Sequence, residues 1–266
     1  MNPISFMSAN YVGRQVSYNI TEGWMQGENA AIAHFKPVET YAERLDEVLR
    51  DVRGLGFEAI DIWLAHLGPG WATERHIEVA RDRLKQHRLN PVSLAGWFGA
   101  TAEEFERSCK LAAALNITIL GGITSLLETD RPTLVRLLKE YNLRLALENH
   151  AEKTPEALLA RIGDGGEGTI GAALDTGWFA TQGYDPVDAV RKLGQYIFHV
   201  HLNDVMETGT HHTCRYGAGI VPVEGCVRAL QKIGYEGVIT IEHEPEQFDP
   251  TEDIRASFAM LREWLS

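Results

Sequence analysis

Four short apolar runs in the second half of the chain, 143–148, 171–175, 197–201 and 238–242, end in Glu148, Asp175, His201 and Glu242. Runs of this length, bounded by Gly, Asn or charged residues, predict strands buried on both faces. The steps between their last residues are 27, 26 and 41 positions. The first two fit a strand, a crossover helix and the next parallel strand; the third leaves room for an extra loop. Four parallel strands in succession, each offering a carboxylate or imidazole at its C-terminal end, can converge on one point.

The remainder of the chain supplies the partners such strands need. Further strands are expected at 4–8, 57–64, 90–95 and 117–120, the last cut by Gly121 and Gly122. Helices are expected at 38–53, stopped by Gly54, at 73–86, from 101 through 115, and at 133–141. Thr101 and Glu104 have the spacing of a capping box. Thr154 and Asp185, each followed by Pro, mark N-caps that open helices after the fifth and sixth strands, and Asp249 with Pro250 opens the last helix. The seventh helix is expected at 223–233, closed by Gly234. Eight strands alternating with eight helices, without a composition break, predict one α/β domain over residues 1–266, a single (β/α)8 TIM barrel. A doubly wound open sheet would want a Gly-rich phosphate turn, and no G-x-G-x-x-G follows a strand. The connection 9–37 lacks a regular pattern and holds Tyr11, Arg14, Tyr18, Trp24 and His34. Long connections of this kind are usually functional, and this one reads as a lid or wall over the site.

Composition excludes some functions. The 25 Lys+Arg against 37 Asp+Glu give a formal charge of −12, which disfavours nucleic acid as a partner. No apolar run reaches the roughly 18 residues a membrane span needs, and the N-terminus lacks the pattern of a signal peptide. Cys109, Cys214 and Cys226 form an odd, sparse set without C-x-x-C spacing, as expected in a reducing cytoplasm. A homo-oligomer is left open.

Side chains alternate across a strand, so parity decides which share a face. Glu148 shares one with Ala146 and His150, Asp175 with Ala173, His201 with His199, and Glu242 with Thr240 and Glu244. Leu145, Leu147, Leu174, Val200 and Ile241 have the opposite parity and suit the face that packs on helices. Three acids and an imidazole turned into a barrel mouth repel one another and are costly to desolvate, so they call for a cation. Three oxygens and one nitrogen suit one divalent ion, manganese first, with cobalt, magnesium or zinc as alternatives. His150, one step beyond Glu148, is a candidate substrate contact. So are His66 after the second strand, Trp97 after the third, and Arg215 in the loop after the seventh. His199 lies one layer deeper than His201 and reads as a core or supporting histidine. Gly217 and Gly219 serve a turn.

The motifs around these residues carry a family likeness. Leu-Glu148-Asn-His, Leu-Asp175-Thr-Gly, His-Val-His201-Leu-Asn-Asp204 and the stretch from Gly234 through Glu242-His-Glu resemble the sugar phosphate isomerase/epimerase group of the xylose isomerase-like TIM-barrel superfamily. The likeness covers nearly the whole chain and is specific for the superfamily, less so for the reaction. It implies a metal-dependent enzyme acting on a small keto sugar or polyol. Glu148, Asp175, His201 and Glu242 match the metal ligands, and Glu148 and Glu242 match the pair that exchanges the substrate proton. The implied reaction is isomerisation or epimerisation through an enediolate. A lyase of the inosose dehydratase or 3-keto-glycoside-eliminating kind is the alternative, and a barrel that only binds sugar is a third reading. One position departs from the pattern. Many members carry a His three residues after the sixth-strand Asp, where it helps hold substrate; here Trp178 stands in that place. The departure argues against the zinc cluster of endonuclease IV.

Overall fold

Each of the eight apolar runs becomes a strand of one closed barrel in the computed structural model, which describes residues 2–266. The strands are β1 (Ile4–Met7), β2 (Ala59–Trp63), β3 (Asn90–Trp97), β4 (Ile119–Ile123), β5 (Arg144–Glu148), β6 (Ile170–Asp175), β7 (Ile197–Leu202) and β8 (Ile239–Ile241). All pairings are parallel, and β1 closes the ring by pairing with both β2 and β8. With helices between the strands, this is a (β/α)8 TIM barrel. The capping box at Thr101 and Glu104 is present, and Thr154 and Asp185 accept from the backbone of the helices they start.

Register aligns the polar strand ends. Asp175 pairs with His201, and His201 pairs with Thr240, so Glu242 stands one inward step above that level. Strand β8 ends at Ile241, but the Glu242 amide still donates to the Leu202 carbonyl at 3.1 Å, which pins the residue to the rim. The opposite parity set, Leu145, Leu147, Leu174, Val200 and Ile241, is fully buried in the main apolar core. Below the mouth, the barrel interior holds a polar knot centred on Asp61 of β2. Ser5 of β1 and Thr240 of β8 donate to its Oδ2 at 2.5 and 2.7 Å. His199 of β7 lies 2.7 Å from its Oδ1, and Ser93 of β3 donates to the same oxygen.

Three expectations are corrected. Gly121 and Gly122 do not end β4; both lie inside it. Gly122 has φ +147°, and a Cβ there would collide with the Gly96 carbonyl of the neighbouring strand, so this glycine permits a close approach of two strands. The stretch 9–37 is not irregular. It folds as two short 3-10 turns and a helix, α1 (Trp24–Phe35), which buries Gly27, Ala31 and Phe35. Finally, the barrel carries more than eight helices: short ones at Leu126–Thr129 and Thr176–Thr181 join the expected set. The loop after β7 contains a two-residue antiparallel pair, Asp204–Val205 with Thr213–Cys214. Asp204 fixes this loop by accepting from the amides of Gly217, Gly219 and Val221 at 2.9, 3.1 and 2.9 Å. Among the described residues, no helix is long and apolar enough to cross a membrane.

Candidate metal centre

Glu148, Asp175, His201 and Glu242 come together at the C-terminal mouth, each offering one ligand atom within 4.8 Å of the others. All four are buried. Their neighbours in sequence hold them. Asn149 and Asp175 exchange hydrogen bonds, the Asp175 amide donating to Asn149 Oδ1 at 2.9 Å and Asn149 Nδ2 to the Asp175 carbonyl at 3.0 Å. Asn203 Nδ2 donates to Asp175 Oδ2 at 2.8 Å and to Glu242 Oε2 at 3.1 Å, tying the two carboxylates together. The Trp178 amide donates to Asp175 Oδ1 at 2.6 Å, because Asp175 also caps the short helix Thr176–Thr181.

The electrostatics are those of a place built for positive charge. His201 Nδ1 bonds Glu148 Oε1 and stands 3.8 Å from Glu242 Oε2. Burial would raise the Glu148 acid, but the imidazoles of His201 and His150 outweigh it and hold the group at about 2. Burial would lower His201, yet the Glu148 carboxylate raises it to about 9. Glu242 goes the other way: burial drives its acid well above the usual range, and Glu244, Asp175 and Glu148 add their repulsion. One imidazole does not neutralise three buried carboxyl groups. An O₃N donor set of this kind fits a divalent cation.

Above the set opens a cavity of about 490 Å³, within the range of small-molecule sites. Glu148, His201 and Glu242 line it, whereas Asp175 lies behind them. Of the sequence-derived candidates, His150 and Trp178 reach this cavity, and Trp97 does so with 53% of its surface exposed. His150 Nε2 stands 3.6 Å from Glu148 Oε2. Two candidates do not arrive. His66 is packed beneath the rim between Phe35 and Trp63, at centroid distances of 4.5 and 5.3 Å, and burial holds its imidazole down at about 3. Arg215 is exposed in the loop after β7, outside the cavity wall.

Other cavity residues were not foreseen. His211 stacks on Trp178 at 4.0 Å with rings 4° from parallel, so the long loop after β7 returns an imidazole to the side where Trp178 stands. Glu244 accepts from Trp24 Nε1 at 2.9 Å, which ties α1 to the end of β8. Burial lifts Glu244 to about 8, against the lowering effect of that bond. Parity had placed Glu244 on the inward face; pairing with Trp24 across 220 positions has no local signal. Asp61 did carry one, as an acid in the middle of an apolar strand.

The profile of the xylose isomerase-like TIM-barrel family matches residues 49–264. The chain belongs to that family. Two curated relatives align with part of the chain. MJ1311 of Methanocaldococcus jannaschii, an uncharacterized protein, is 31% identical over 133 residues, 46% of this chain and 45% of its own length. Matches thus span about half the length of the curated relatives. Among solved structures, a D-tagatose 3-epimerase-like protein superimposes with TM-score 0.70 at 18% identity, covering 99% of this chain and 97% of its own. The IOLI protein, solved with a zinc atom, gives TM-score 0.71 at 16% identity over 99% and 98%. At these identities the structural likeness speaks for the fold.

Proposed function

We propose that the protein is a divalent-metal-dependent isomerase or epimerase of a small keto sugar or polyol. The observation that carries this reading is the placement of Glu148 and Glu242. Both belong to the buried four-residue set and both front the cavity, whereas Asp175 stands behind, held by Trp178 and Asn203. A site that only held an ion would not need two of its carboxylates turned toward a ligand.

Glu148, Asp175, His201 and Glu242 would hold the ion, with manganese first and cobalt, magnesium or zinc as alternatives. When bound, the ion supplies polarisation of the substrate carbonyl. One of the two glutamates removes a proton from the carbon beside that carbonyl, and the other returns one. Return to the opposite face of the same carbon is epimerisation; return to the former carbonyl carbon is isomerisation. His150 and His211 stand where sugar hydroxyls would meet them, and Trp24, Trp63 and Trp178 give the cavity wall apolar surface for the ring. The three unpaired, buried cysteines suit a reducing compartment such as the cytoplasm. A small sugar, rather than nucleic acid, is the ligand that a carboxylate-lined cavity accepts.

A dehydratase is the second reading, favoured by Glu244. This third carboxyl group faces the cavity outside the ligand set and could protonate a departing hydroxyl. Incubating the manganese-loaded protein with ketoses and inososes in heavy water tests both. Solvent deuterium on a carbon beside the carbonyl, with interconverted sugars, is the expected result. Loss of water with a new conjugated absorbance would move the assignment to the lyase. Absence of exchange with every sugar that binds would leave a binding barrel and overturn the proposal.

A further inference from the structure

On the side of β2 and β3, Glu28 and Trp97 line both this cavity and a second groove of about 230 Å³ beside it. That groove is walled by Ile32, Leu64, Pro69, Trp71 and Phe98. Its position is opposite in kind to the ligand set: β5 to β8 supply the ligands, whereas α1, the loops after β2 and β3 and the helix Ala102–Ala114 build the groove. A molecule with its reacting carbon at Glu148 and Glu242 that is longer than one ring would run across Trp97 into it. Trp97 is also among the few exposed large apolar residues of the described chain. Its indole stands at the junction of the two spaces, where a flat apolar ring face can stack.

Charge limits what that molecule carries. Glu28, Glu148, Glu242, Glu244 and Glu246 line the main cavity, and among the described residues no Lys or Arg does. Among the described residues the one cation at the outer groove, Arg107, is engaged by Glu103 at 2.9 Å. A phosphate or carboxylate would find no Lys or Arg on the cavity wall to pair with, whereas a neutral polyol needs none.

We propose that the groove is a second binding subsite, which takes a ring attached through a glycosidic bond to an uncharged substrate. It rests on the reading above only for what happens at the other end of that substrate. Inert glycosides probe it directly. Affinities of the intact protein for methyl and phenyl β-glucoside, β-galactoside and β-mannoside are measured by saturation-transfer NMR, with the phosphorylated phenyl glucoside as the charged control. In at least one pair the phenyl glycoside should bind about tenfold tighter than the methyl glycoside, the order expected of an added aromatic stack. Saturation should reach its aryl protons, and the phosphorylated form should bind more weakly. Trp97→Ala should abolish the phenyl advantage; Trp97→Phe should keep most of it. Circular dichroism checks that both variants fold. Equal affinities in every pair, absence of binding included, or a phenyl advantage that survives Trp97→Ala, would overturn the subsite. None of these probes has a carbonyl to turn over. A protein that shows the phenyl advantage but exchanges no deuterium with ketoses keeps the subsite and loses the isomerase reading; the reverse result separates them the other way.

Discussion

At the scale of single residues, the mouth divides its carboxyl groups by what stands beside them. Glu148 has imidazoles on two sides, which lower its acid; Glu242 has Asn203 and three other carboxyl groups beside it, and burial with their repulsion raises its acid. Glu242 is therefore the place to separate holding an ion from moving a proton. Glu242→Gln keeps the shape and one oxygen but removes the base. Turnover is expected to fall by about 10²–10⁴-fold, the usual share of positioned acid–base catalysis. Metal content by elemental analysis and substrate binding must be read on the same sample. A metal-replete variant with near-normal deuterium exchange would show that Glu242 has no part in proton transfer. All four residues of the set were legible in the sequence, because a strand's alternation fixes its inward face whatever surrounds it. His66 misled because a loop after a strand can fold back into the wall as easily as over the mouth. Here Phe35 and Trp63 took it in.

At the scale of elements, the Asp61 knot joins five strands, β1, β2, β3, β7 and β8, beneath the ligands. Burial would raise this acid, but His199, through its charge and its hydrogen bond, leads the groups that hold it at about 2. An ionised group at that depth is tolerable only with its partners in place. Asp61→Ala would take their shared acceptor from His199 and three hydroxyls, those of Ser5, Ser93 and Thr240, in the barrel interior. A loss of about 3–5 kcal/mol is expected, the usual consequence of removing one partner of a buried pair. Urea unfolding midpoints check it, and a loss below about 1 kcal/mol, the scale of an exposed pair, would show the knot to be energetically idle. Helix α1 shows the limit of pattern reading at this scale. Gly27 in its middle argues against a helix by propensity. In the fold the missing Cβ is needed, since a side chain there would meet the Val12 carbonyl. Packing against the preceding turns overrides the local cost.

At the scale of the whole molecule, a cation bridging the ends of β5, β6, β7 and β8 would couple half the barrel's rim to its own binding. A ligand held only by the folded state adds stability by mass action, about 2.7 kcal/mol at a hundredfold excess over Kd. Removal by a chelator should lower the melting temperature of the manganese-loaded protein by roughly 5–10 °C for a chain of this size. His201→Ala should melt at one temperature with or without the metal; a chelator effect that persists undiminished in it would place the ion elsewhere. The sequence by itself determined the strand count, the parallel barrel and the inward parity of the four polar strand ends. Those follow from periods of two and three to four residues and from spacings, which are local. Only the tertiary structure decided which loop residues reach the mouth. Stacking of His211 on Trp178, the bond from Trp24 to Glu244 and the exclusion of Arg215 depend on how loops of different length fold over the rim. Such contacts join residues far apart in the chain, and nothing in either neighbourhood announces the other.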